Sequence, residues 1–253
     1  VQKTPLLIYT VAERPDLLER MYELDGTFAP FMSADPVLSS LFAHRAVFAD
    51  YTLLAFDPAD PDRIVGRAVS VPFRLSRGDD ETAELPESGW DQVVSWAVED
   101  HHAGVRTDTV SALEISLAPD YLGRGLSSVM LRAMRDNCRR LGYDTLVAPV
   151  RPTAKHLHPR VPMEEYVTWT REDGLPHDPW LRVHARLGAT IEGVAPLSMT
   201  IPATLAQWRE WTGLPFDASG PVEVPGALVP VVADIEHGYA VYVEPNVWMR
   251  HRL

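Results

Sequence analysis

Apolar and polar positions divide the chain into segments with strand-like and helix-like spacing. The run Leu6 to Ala12 reads as a first strand, and Pro15 to Asp25 then sets Leu17, Leu18, Met21 and Leu24 at the spacing of one helical face. A second helix is predicted over Pro36 to Phe48, with Asp35 as its N-cap. Strands over Thr52 to Phe56 and Ile64 to Phe73 follow, and the turn-rich run Asp57 to Asp62 between them makes a hairpin. Ser76 to Glu87 is polar and acidic, a surface loop, whereas Ser88 to His102 carries Trp90, Val93, Val94, Ala97 and Val98 on one side of a helix.

The middle of the chain predicts a β-α-β unit: a strand over Thr109 to Leu117, a helix over Gly123 to Leu141 and a strand over Asp144 to Val150. Thr153 to Trp180 is rich in proline, histidine and aromatics, with a short helix expected at Met163 to Thr170. Asp178 as N-cap, Pro179 at the first position and Gly188 beyond the end frame another helix. A strand near Ala189 to Val194, a helix over Thr204 to Thr212 and strands around Leu228 to Ile235 and Tyr239 to Val243 complete the series. No internal repeat is visible.

The segment from Val110 to Leu131 carries the chemistry. Strict alternation sets Ser111, Leu113, Ile115 and Leu117 on one face and Val110, Ala112, Glu114 and Ser116 on the other, so Glu114 is a lone carboxylate in an apolar strand. Pro119 stops the strand, and Gly123 and Gly125 let the backbone turn tightly into a helix. The first amides of that helix lack intrahelical acceptors and its dipole adds positive charge, a site suited to a pyrophosphate. This stretch, LAPDYLGRGLSSVML, resembles the acetyl-coenzyme A motif of the GNAT acyltransferases, with Gly125 on the motif's first glycine. Leu122 and Ser127 depart from the usual motif residues, and Arg124 is a candidate to supply the missing charge. The resemblance assigns Ile115, Leu117, Leu122, Gly123, Arg124, Gly125, Leu126 and Ser127 to the coenzyme. Thr153 and Lys155 are added to that set.

The order of elements matches the same family. The resemblance therefore implies an α/β protein with a mixed sheet, a GNAT acyl-CoA N-acyltransferase fold in one domain over residues 1–253, with an insertion at Thr153 to Trp180 and a C-terminal extension, 195–253, completing the sheet. VHARLGA, from Val183 to Ala189, lies where the family carries its last-helix signature and puts His184 at the position of the usual tyrosine, which protonates the leaving thiolate. The C-terminal half, including RPTAKHLHP and VEPNVWMRH, is similar to a subgroup that includes the GNAT-like loading domains of polyketide synthases. That likeness implies a place in secondary metabolism and leaves alternatives open: malonyl or methylmalonyl decarboxylation, S-acyl transfer to an acyl carrier protein, or a non-catalytic acyl-CoA-binding module. The leading expectation is transfer of an acetyl or short acyl group from coenzyme A to the amine of a small molecule.

Glu114 is the candidate base, because its place in a buried strand would make it a better proton acceptor. His184 is the candidate acid, as a side chain that ordinarily titrates near neutral pH. Tyr166 and Trp169 are expected to line a pocket, and Arg132, Arg135, Arg139 and Arg140 to form a solvated helix face. His156, His158 and His177 match no standard zinc spacing, so no metal is expected.

Composition narrows the classes. The 253 residues, 46% of them hydrophobic, suffice for a sizeable core, and the single cysteine, Cys138, rules out an intrachain disulfide. A formal charge of −12 argues against nucleic acid and suits a cationic acceptor. No window approaches the roughly 20 apolar residues of a membrane span, and no signal pattern is seen, so a cytoplasmic protein without a membrane partner is expected.

Overall fold

The computed structural model describes residues 6–24, 28–77 and 84–253. The elements are β1 (Leu7–Thr10), α1 (Leu38–Ala43), β2 (Thr52–Asp57), β3 (Asp60–Phe73), α2 (Gly89–Ala103), β4 (Thr109–Leu117), α3 (Leu126–Arg140), β5 (Thr145–Val150), α4 (Met163–Tyr166), α5 (Pro179–Arg186), β6 (Thr190–Thr204), α6 (Leu205–Thr212), β7 (Gly220–Val222), β8 (Val231–Asp234) and β9 (Tyr239–Arg252). Among the described residues, nine strands form one sheet in the order β1-β2-β3-β4-β5-β9-β8-β7, with β6 paired to β9. Only β4 and β5 are parallel neighbours, as expected of strands joined through α3.

Each face of the sheet buries its own apolar cluster. Met130, Leu131, Met134 and Cys138 of α3 pack with Val110, Ala112 and Leu117 of β4. On the other face Val93, Val94 and Ala97 of α2 meet Val69, Val71 and Phe73 of β3. Burial pushes the Cys138 thiol up to about 12, so it is an inert core residue.

The faces of β4 depart from simple alternation. Val69 pairs with Glu114 but its neighbour Ser70 pairs with Ala112, which leaves Leu113 as an extra residue. Such a bulge inverts the parity beyond it. Val110 and Ala112 therefore share a core with Ile115 and Leu117, whereas Leu113 packs into the opposite cluster.

Several boundaries also differ from those the pattern predicts. Leu17, Met21 and Leu24 are buried as the spacing requires, but short 3-10 turns at Pro15–Leu17 and Arg20–Tyr22 replace a helix; Asp25 lies outside the described residues. Asp35 Oδ1 accepts from the amides of Val37 and Leu38, but it is not the N-cap: α1 starts at Leu38 behind Val37 and ends at Ala43. β9 runs to Arg252, through Pro245. The ladder between β6 and β9 jumps from Ala195↔Asn246 to Met199↔Glu244, so the proline, which has no N–H, sits opposite an existing break. No helix among the described residues is long and apolar enough to cross a membrane.

Candidate active site

β4 and β5 pair only at Val110↔Leu146 and Ser111↔Val147, then lose their ladder. Backbone groups of β4 on that side are thereby left without a strand partner. Beyond the divergence lies a cavity of about 1010 Å³, lined by Leu113, Glu114, Ile115 and Leu117 from β4 and by Ala148, Pro149 and Val150 from β5. The pairing failure and the cavity are one feature: the space between the strands.

At one end of this space the chain turns into α3. Gly123 and Gly125 both have φ of +73°, which a Cβ would strain, and Gly125 is the N-cap with no side-chain cap bond. The leading amides of a 15-residue helix are thus free for an anion, and Leu122 and Ser127 beside them line the cavity. Arg124 lies with its guanidinium carbon 4.7 Å from the Tyr121 ring centre, held near the turn. Leu126 is buried in the core, so only its backbone can serve a ligand. These features fit the pyrophosphate and thioester arm of an acyl-coenzyme A, which supplies an activated acyl carbon.

Glu114 lines the cavity, but it is not an isolated carboxyl. Its Oε1 accepts from Arg67 Nη2 at 2.6 Å, from Arg67 Nε at 3.1 Å and from the Ser116 hydroxyl. Arg67 Nη1 in turn donates to the Met21 carbonyl at 2.6 Å. Oε2 accepts no hydrogen bond among the described residues.

Across the cavity, α5 supplies His184. Asp178 caps that helix by accepting from the amides of Trp180 and Leu181, which fixes the face it presents. His184 Nδ1 lies 3.0 Å from His251 Nε2, and Trp180 packs edge-on against its ring. Burial, with His251 alongside, pushes His184 down to about 3. That overturns the expectation of a histidine titrating near neutrality: its resting form is the neutral imidazole.

Deeper in, Arg151 Nε meets Glu244 Oε2 at 2.9 Å, and Tyr242 and Asn246 donate to the two oxygens of the same fully buried carboxylate. Arg151, Glu244 and Asn246 line the cavity. Further back, Asp35 Oδ2 and Asp91 Oδ1 are sealed from solvent without a donor. Burial and the Asp35 carboxyl push Asp91 up to about 8, so Asp91 is mostly protonated at neutral pH.

No family profile matches the chain. A search of characterised proteins finds it 32% identical, over 274 aligned positions, to the arginine N-acetyltransferase avaD of Aspergillus versicolor, covering 96% of this chain and 93% of that protein. Among solved structures it is similar to the loading GNATL domain of CurA from Lyngbya majuscula, with a TM-score of 0.58 at 18% identity, covering 98% of this chain and 96% of that one. The GphF GNAT-like decarboxylase in complex with isobutyryl-CoA follows at a TM-score of 0.53 and 16% identity, with 98% of each chain covered.

The chain belongs to the GNAT acyltransferase family. It moves an acetyl or short acyl group from a coenzyme A thioester to an amine. Of the residues that the sequence points to in this GNAT acyltransferase, Glu114, Ile115, Leu117, Leu122, Ser127, Thr153 and His184 meet around one cavity. Lys155 does not. Its Nζ is buried and donates to the carbonyls of His158 and Leu228, each at 2.8 Å, so it anchors the insertion instead of a phosphate. Tyr166 is likewise a core residue, its hydroxyl donating to Asp178 Oδ2 at 3.0 Å, and Trp169 packs against it and His158. Arg135 departs from its helix face: Nη1 donates to the Leu187 carbonyl at 2.8 Å, whereas Arg132, Arg139 and Arg140 are exposed. Pattern reading passed over Arg67, Glu244 and His251. Arg67 and Glu244 are polar residues in apolar runs, the signal that marked Glu114, whereas His251, between Arg250 and Arg252, carries no such signal.

Proposed function

We propose that the acceptor is an amino acid of the arginine type, acylated on an amine, with Glu114 and His184 as the proton-handling groups. The support is the pair of ion pairs on the cavity wall, Arg67 with Glu114 and Arg151 with Glu244. Glu114 keeps Oε2 unengaged for a cation, and Arg151, which uses only Nε and Nη2 among the described residues, keeps Nη1 for a carboxylate on the same wall. The characterised relative takes its name from the same acceptor.

Glu114 Oε2 accepts a proton from the acceptor's ammonium, directly or through a water, giving the neutral amine that attack requires. Arg67 and Ser116 hold the carboxylate in place for this. As the C–N bond forms and the C–S bond breaks, nitrogen loses a second proton and the sulfur gains one. His184, neutral at rest, takes that proton and returns it to the leaving thiolate, holding it only between the two events. The unpaired amides of β4 stand where the strands part and offer donors to the carbonyl oxygen of the acyl group.

The experiment is thiol release from acetyl-CoA with arginine, agmatine, lysine or no amine. Release with arginine, weaker with agmatine, which lacks the carboxylate, is the expected result. Acetyl-CoA formed from malonyl-CoA without any amine would replace this reading with decarboxylation, and thiol release only with a carrier-protein arm would replace it with S-acyl transfer.

A further inference from the structure

The bulge in β4 surrounds Glu114 with apolar side chains. Val69 stands opposite Glu114 in the ladder, and Arg67, two residues back along β3, bonds to it, so all three lie on the face of the sheet that α2 covers. Leu113, the extra residue of the bulge, turns to that face as well. α3 packs against the opposite face. The proposed coenzyme turn and the wall around Glu114 therefore reach the gap between β4 and β5 from opposite faces, and the acceptor belongs on the α2 side.

On that side the cavity is bounded by Met32, Leu41, Phe48, Val69, Trp90 and Met199, all members of one apolar cluster. Tyr22 and Phe42, packed edge-to-face at 4.8 Å and both exposed, stand at its rim. The polar side chains set among these walls are already engaged. Ser33 donates to the Pro30 carbonyl, Thr52 to the Phe48 carbonyl and Trp90 Nε1 to the Leu113 carbonyl. Arg45 donates to the Phe42 carbonyl and to Glu19, and Arg67 to Glu114 and the Met21 carbonyl. A guanidinium placed in this chamber would exchange water for apolar walls, with Arg45 and Arg67 repelling it. An apolar group gives up no hydrogen bonds and displaces water from apolar surface.

We infer that the acceptor carries, within a few bonds of the amine that is acylated, a bulky apolar group, aromatic or branched aliphatic, held in this chamber against Leu41, Phe48, Val69 and Trp90. An amine brought to Glu114 Oε2 lays its neighbouring atoms against Val69 across the ladder and Leu113 beside it, so the reacting centre and the apolar chamber are continuous. The acceptor is then an arginine derivative with an apolar residue attached, of the kind an arginyl dipeptide represents, and its carboxylate still has Arg151 Nη1 to meet. The inference rests on the arginine-type reading for the polar end of the acceptor and not for the apolar group.

The test compares thiol release from acetyl-CoA with arginine, arginylglycine and arginylphenylalanine. The phenylalanine dipeptide should exceed both others in kcat/KM by at least about tenfold. A kcat/KM no better than that of arginylglycine or of arginine overturns the proposal. Leu41→Trp narrows the chamber and should bring the ratio between the two dipeptides down at least about fivefold; Met199→Phe, on another wall, does the same if the first variant fails to fold by circular dichroism. A folded variant that keeps the wild-type ratio overturns the assignment of the chamber. Phenethylamine against ethylamine separates the two readings. If no arginyl compound is turned over but phenethylamine is preferred, the arginine-type reading fails and the apolar chamber stands; no preference in either comparison sinks the chamber itself.

Discussion

Arg67 Nη2 lies 2.6 Å from Glu114 Oε1, on a strand directly beside that of its partner, and both side chains border the cavity between β4 and β5. The bulge at Leu113 makes this meeting possible, because it resets the register between Val69 and Ser70 just as Glu114 is placed. A carboxylate with one oxygen fully engaged and one available is oriented for a single task.

Glu114→Gln keeps an oxygen for Arg67 and removes the proton acceptor. The variant is expected to fold and bind acetyl-CoA normally while kcat falls about 100-fold. Steady-state kinetics together with a coenzyme titration check this. Arg67→Met leaves Glu114 with Ser116 as its remaining partner and should lower stability by about 2 kcal/mol in urea unfolding, since the pair is only partly shielded from solvent.

At Gly125 an added Cβ would meet no atom within 4 Å, so Gly125→Ala acts through its backbone and not through a clash. Holding alanine at φ +73° is expected to cost about 1 to 2 kcal/mol. If the turn relaxes instead, the leading amides of α3 move away from the proposed pyrophosphate site. Acetyl-CoA KM should rise with kcat little changed, and thermal unfolding measures the strain.

His184 and His251 both hold their protons less tightly than free histidine, at about 3 and about 4, chiefly through burial. Below pH 6.5 the unfolded chain takes up protons that the folded chain refuses, so both histidines remove stability as pH falls toward those values. Replacing both by phenylalanine and leucine should flatten the acid side of a Tm-against-pH curve.

Asp91 works in the opposite direction. Burial first, and then the Asp35 carboxyl, raise it to about 8, so from the ordinary carboxylate range up to about pH 8 the folded chain binds more protons than the unfolded one. Stability therefore falls with rising pH through that window. By about pH 7.5, a unit above the ordinary histidine value, the histidines contribute little, and from there to about pH 8 Asp91→Asn should remove most of the remaining slope. A slope unchanged by the substitution would mean that Asp91 does not hold its proton into this range.

Much of this protein was legible in its sequence because the signals were local. The strand from Thr109 to Leu117, the Asp178 cap with Pro179 behind it, and the glycines at 123 and 125 depend on neighbours a few residues away, and the structure has them in those places. The turn proposed for the coenzyme belongs to this class, since the amides that would serve it are backbone groups, present whatever stands at Leu122 and Ser127.

What tertiary structure decided is which polar groups meet. A lone carboxylate in an apolar strand announces itself, but that Glu114 would face Arg67 from the next strand depends on a bulge that alternation cannot foresee. Lys155 has the composition of a phosphate ligand and becomes a core anchor because two carbonyls, one of them 73 residues away, reach it first. His184 reads as a titrating acid until it is buried with a second histidine, 67 residues on, packed behind it. Propensity and turn chemistry are properties of a segment and are written in it. Proton affinity is a property of a surrounding, and only the folded chain supplies one.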